Sequence, residues 1–280
     1  MCDAGKIEHL QHTAGAQTRL SDVTEWSPQQ RRARAWLEIA IVLGLSLGES
    51  AVYSIVALVR RLSQTEALAD QTATINQPLA DQPIFDLIYQ LLGIGFGLVP
   101  VVLVFWLLAK PGLSAFTQLG FNFRQPWRDL GRGFGLAAVI GIPGLGLYLV
   151  GHALGFTVTI VPTALDSYWW TTPILVLAAL NAALVEELIV VGYLFTRLRE
   201  MGWRTWQIIG ASALLRGSYH LYQGFGPFVG NVVMGVVFGL AYQRWGRTMP
   251  LVIAHWILDI VSFTGYAVVK SLLPGFLPGT

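Results

Sequence analysis

Seven apolar runs, most of them near or above the ~20 residues an α-helix needs to cross the hydrocarbon core, fill over half of this 280-residue chain. They lie at about Trp36–Val59, Ile84–Leu108, Gly133–Leu154, Pro173–Leu198, Trp206–Tyr222, Phe228–Tyr242 and Pro250–Val269. The runs predict an all-α, multi-pass transmembrane helical bundle. Composition agrees: mean hydropathy is +0.57, with 54% hydrophobic and 12% charged residues, far from the balance of a soluble domain. The apolar runs leave little chain outside the bilayer, so one membrane domain is expected. A single cysteine, Cys2, excludes an intrachain disulfide and a Cys-rich metal site.

Residues 1–34 are polar, carry Arg31, Arg32 and Arg34, and have no apolar stretch near the start. They read as a cytoplasmic tail rather than a cleavable signal peptide. His9 and His12 have no neighbouring ligand cluster, so no metal is expected there. Residues 35–110 hold the first two helices, joined by a polar connection over 60–82; residues 111–270 form the core, and 271–280 a short tail. Lys110 to Asp129 is an amphipathic connector, with Phe116, Phe121, Phe123 and Trp127 among cations that suit the headgroup zone. Tyr168, Trp169 and Trp170 mark a further interface. Gly93/Gly97 and Gly235/Gly239 have GxxxG spacing, which suggests close helix contact. With the N-terminus inside, fourteen of the eighteen Lys and Arg residues fall on the cytoplasmic side, as the positive-inside rule requires.

Against this background seven ionisable residues read as membrane-embedded stand out: Glu49, Glu186, Glu187, Arg216, His220, His255 and Asp259. One charge near mid-membrane costs at least ~2.5 to 3.5 kcal/mol on insertion scales. Glu49 reads as a hydrated or interhelically bonded glutamate. The other six fall in the last four runs. Arg216 and His220 are four residues apart, as are His255 and Asp259, so each pair shares a helix face. Asn231 and Asn181 are placed to join them. One shared polar cavity between spans 4 to 7 meets every requirement at once. Adjacent carboxylates repel, and a cation or histidine beside them makes one a candidate general base.

These residues resemble the CPBP family, the CAAX-protease and bacteriocin-processing (Abi-like) intramembrane proteases. The family's motifs are EExxxR, FxxxH and HxxxN or HxxxD; Glu186-Glu187, His220 and His255 to Asp259 follow them in order, and the resemblance covers about Leu119 to Ser262. It implies that 111–270 is a protease core. It also implies that Glu186 activates water with His220 as partner, that His255 and Asp259 bind the scissile carbonyl and steady the oxyanion, and that Glu187 supports them. A divalent metal such as zinc, if used, would sit on Glu186, His220 and His255; the reading preferred here is a glutamate-activated water without metal.

Two positions depart from the motifs: the arginine of EExxxR is Val191, and the phenylalanine of FxxxH is Arg216. The departures suggest compensation, with Arg216 supplying the guanidinium across the cavity to Glu187 or Glu186, and Asn231 in support. The expected activity is therefore an intramembrane endopeptidase acting on a membrane-embedded or lipid-modified peptide in the bilayer, with no nucleic-acid partner. No residue pattern indicates prenyl-CAAX processing in particular. Two alternatives remain: a non-catalytic binding or immunity protein of the same fold, and a proton-coupled transporter. The chain has no HExxH or GxSxG motif and no pair of intramembrane aspartates.

Overall fold

The structure is a computed structural model that describes residues 26–272 and 278. Cys2, His9, His12 and most of both expected tails, 1–34 and 271–280, lie outside the described residues. The chain divides into two compact units at Glu38. Helix α1 (Pro28–Gly44), which starts in the first and runs on into the second, begins with a reciprocal cap. Ser27 Oγ accepts from Gln30 N at 3.2 Å, while Gln30 Oε1 accepts from Ser27 N at 2.9 Å.

The second unit holds the remaining helices. Among the described residues, five helical stretches are long and apolar enough to span a membrane: Pro83–Leu108, Pro126–Ala153, Thr171–Glu200, Phe225–Trp245 and Met249–Tyr266. A sixth arises if α1 and α2 (Leu47–Leu62), which meet at a 60° bend, count as one broken span. The first of the five comprises α3 (Pro83–Gly97) and α4 (Val99–Leu108). After the short α5 (Ala115–Gln118) comes α6 (Pro126–Ala153), which runs through Pro143. The central span is α7 (Thr171–Val185), a π-helical segment over Glu186–Tyr193, and α8 (Leu194–Glu200).

The expected fifth span is shorter than the hydropathy implied. α9 (Thr205–Ser218) has 14 residues, about 21 Å at ~1.5 Å per residue, short of a ~30 Å hydrocarbon core. A 3-10 turn, Leu221–Gln223, then reverses the chain into α10 (Phe225–Trp245). Gly224 makes this reversal with φ +98°, and a Cβ there would lie 2.7 Å from the Phe156 carbonyl oxygen. Such a conformation favours glycine. The last helix is α11 (Met249–Leu272).

Contacts at the two ends show how the chain alternates. At one end, β1 (Thr72–Asn76) and β2 (Thr159–Thr163) pair in parallel, with Thr72 opposite Thr159. Val158 N donates to Gln223 O at 3.2 Å and Phe225 N to Phe156 O at 2.8 Å. The connections 63–82, 154–170 and 219–224 therefore share this end. The polar connection over 60–82 thus carries a strand, a small departure from an all-α chain. At the other end Lys110 pairs with Glu200 at 3.0 Å, and Thr248 Oγ1 donates to Leu119 O at 3.0 Å.

Arg247, counted as a cytoplasmic charge, is instead buried against Asp129, with Nε to Oδ1 at 2.9 Å, and donates Nη2 to Asn122 O at 2.7 Å. This pair ties the start of α6 to the α10–α11 turn.

The core is centred on the α7–α8 span, where Leu188, Ile189, Val190 and Val191 are fully buried. Of the two GxxxG pairs, Gly235/Gly239 makes the close contact expected: a Cβ on Gly235 would lie 2.7 Å from Ala213 Cα, and one on Gly239 3.1 Å from Phe195. In the other pair only Gly97 does so, against Asn181, while Gly93 faces open space.

Candidate active site

Glu186 and Glu187 open the π segment, and both are buried. Successive side chains on an α-helix diverge by about 100°; the wider i→i+5 turn reduces that angle, so neighbouring carboxylates can be reached by one partner. The π segment is supported from α9, where the buried Ser212 hydroxyl donates to Val190 O at 3.0 Å.

The shared partner is Arg216 in the last turn of α9. Its Nη1 lies 3.1 Å from Glu186 Oε2 and its Nη2 2.7 Å from Glu187 Oε1. Phe238 of α10 offers its ring face 5.5 Å from the guanidinium carbon, a favourable site for a cation. Gly235 lets α10 approach α9 here, since a Cβ there would lie 2.7 Å from Ala213 Cα, and its position abuts the Arg216 stem. The pairing expected from the two motif departures is therefore present, and it involves both glutamates. Val191 is fully buried in the apolar core.

α11 supplies the opposite wall. His255 Nδ1 is 2.8 Å from Glu187 Oε1 and 4.0 Å from Glu186 Oε2, and His255 Nε2 is 3.4 Å from Asp259 Oδ2. Tyr219, one residue past α9, donates its hydroxyl to Glu186 Oε2 at 2.7 Å. Glu186 Oε2 thus holds two donors, while Oε1 has no partner among the described residues. Glu187 Oε2, Arg216 Nε and His220 Nδ1 are likewise buried without one.

Not every expected residue joins the cluster. His220 makes no hydrogen bond to Glu186; its ring lies 4.9 Å from that of Tyr219. It falls beyond the end of α9, so the helical spacing that would bring it alongside Arg216 no longer applies. Asn231 donates to Pro227 O of its own helix at 3.0 Å. Asn181 packs on Gly97, and Glu49 is exposed in the first turn of α2. Tyr219, Ser212 and Phe238 were not singled out in the sequence. Tyr219, like His220, lies past the end of α9, so no helical spacing in the sequence singled it out.

The expected metal trio of Glu186, His220 and His255 is not assembled. The group that converges is Glu186, Glu187 and His255, with ligand atoms within 4.8 Å of one another. The carboxylate oxygens nearest His255 are those that Arg216 already holds. A divalent cation bound through those oxygens would have to share them with a fixed buried positive charge, which disfavours a metal at this position.

Fold and site define a multi-pass membrane protein whose helices enclose a buried carboxylate–arginine–histidine cluster. Residues 168–261 match the family model described as Type II CAAX prenyl endopeptidase Rce1-like, and this segment, which contains the whole cluster, is of the CAAX-protease family that the motifs resemble. No curated protein and no solved structure matches the chain.

Proposed function

We propose that this protein is a CAAX-type intramembrane endopeptidase in which Glu186 activates water without a metal, within a core spanning 111–270. The observation that carries the reading is the asymmetry of Glu186: Oε2 is held by Arg216 and Tyr219, and Oε1 is left to accept a proton. Water gives its proton to Oε1 and its oxygen attacks the scissile carbonyl carbon. The proton then passes to the leaving amide nitrogen as the C–N bond breaks. His220, whose Nδ1 has no partner among the described residues, binds the same water.

His255 donates Nδ1–H to Glu187, which fixes the ring and leaves Nε2 to face the carbonyl. With both ring nitrogens protonated, Nε2–H rests loosely toward Asp259 at 3.4 Å and exchanges that long contact for a shorter one to the developing oxyanion, where one preorganised donor contributes about 10²–10³ in rate. Arg216 balances the two carboxylates throughout. The description of the matching family points to a lipid-modified, C-terminal CAAX peptide as substrate.

The test uses full-length protein in liposomes with quenched membrane peptides, prenylated and unmodified, with and without chelator. Glu186→Gln and His220→Ala are expected to lose about 10²-fold or more in cleavage, and chelator to change nothing. Wild-type rates in Glu186→Gln would sink the assignment, and loss of cleavage with chelator would reverse the metal-free reading.

A further inference from the structure

A carboxylate turns easily about its last torsion, which is broad and roughly two-fold. A single donor does not decide which oxygen of Glu186 faces the cavity, and Arg216 must serve Glu187 as well. The second donor is Tyr219, only 5% exposed, at 2.7 Å from Oε2. Tyr219 is in turn held by α2. Its carbonyl is among those a helix end leaves without an intrahelical partner, and the buried Ser54 hydroxyl donates to it at 2.7 Å. Leu47 and Ala51 of α2 pack in the same cluster with Val190.

We propose that Tyr219 is the positioning residue that keeps Glu186 Oε1 turned toward water, and that α2 sets Tyr219 through Ser54. The site is then completed by a helix outside the 168–261 segment. This inference rests on Glu186 being the general base. Tyr219 touches Glu186 and not the reacting atoms, so its loss acts on turnover rather than on substrate binding.

The experiment compares Tyr219→Phe, Ser54→Ala, Ser54→Thr and Glu186→Gln in the full chain in liposomes. One readout is initial rates on a quenched prenylated CAAX peptide. The other is the infrared carboxylate band identified by its loss in Glu186→Gln. Tyr219→Phe keeps the ring and its packing. It is expected to lower kcat by about 10- to 100-fold, as misplacing a reacting group does, with KM within about twofold and the band displaced. Ser54→Ala is expected to lower kcat about fivefold, the equivalent of one hydrogen bond, and Ser54→Thr to restore it. A Tyr219→Phe enzyme with wild-type kcat or an unmoved band overturns the positioning role. Ser54→Thr no better than Ser54→Ala overturns the link to α2. If Glu186→Gln cleaves as wild type does, the general-base reading fails and the positioning role with it, while the band still reports whether Tyr219 holds Glu186.

Discussion

Arg216 is fully buried, and each of its terminal nitrogens serves a different carboxylate. A planar fork meets this geometry, whereas a lysine carries the charge on a single nitrogen. Arg216→Met is therefore expected to cost about 3–5 kcal/mol, the range for breaking a buried ion pair from one side, and Arg216→Lys distinctly less. Thermal unfolding in detergent measures both; equal losses would mean that the fork does not matter. A swap addresses the compensation idea. Val191→Arg alone adds a second buried cation and should destabilise. Combined with Arg216→Phe, it should recover stability with a coupling of about 0.5–3 kcal/mol, and strict additivity would rule compensation out. The pairing was legible in the sequence because a buried guanidinium beside two acids has few other solutions. Tyr219 was not, because a tyrosine in an apolar run has no charge to balance and its hydroxyl signals nothing until the helix end is placed.

At the scale of elements, the site depends on how closely α9 and α10 approach. Gly235 sits against the α9 backbone and the Arg216 stem, so Gly235→Val must move α10 outward or displace the guanidinium. Overpacking of this kind costs about 1–3 kcal/mol, and cleavage should fall with it. Gly210 of α9 faces open space, and Gly210→Ala should leave cleavage at the wild-type value and stability equal or up to about 1 kcal/mol higher. Equal effects of the two substitutions would show that the contact is unimportant. The GxxxG spacing pointed to this interface because small residues are needed wherever backbones meet. Two other features were invisible to hydropathy. A π turn alters hydrogen-bond register but not composition, so Glu186–Tyr193 reads like any apolar helix. The early end of α9 is set by the Gly224 turn and its contacts with Phe156 and Thr157, more than sixty residues away. β1 escaped for the same reason, since its partner strand is supplied from beyond α6.

For the whole molecule, the shared ends imply a sidedness. The connections 109–125, 200–204 and 246–248 lie at the end that carries Lys110, Arg124, Arg199 and Arg204, while Arg60 and Arg61 end α2 near the strand pair. The positive-inside rule assigns the first end to the cytoplasm, although one of the cations counted for it, Arg247, is neutralised by Asp129. Four exposed positions sample the two ends: Leu79 and Leu154 beside the strands, Phe123 and Thr205 opposite. Single cysteines at these positions, in a Cys2→Ser background, can be probed with a membrane-impermeant maleimide on intact cells expressing the protein. Leu79→Cys and Leu154→Cys should label directly, and Phe123→Cys and Thr205→Cys only after permeabilisation. The reverse pattern would invert the orientation while leaving the alternation intact. Labelling of Leu79→Cys and Phe123→Cys from the same side would mean that Pro83–Leu108 does not cross. The glutamate pair would then need a water path other than a cavity enclosed by spanning helices, because buried carboxylates in a bilayer persist only where protein or water solvates them.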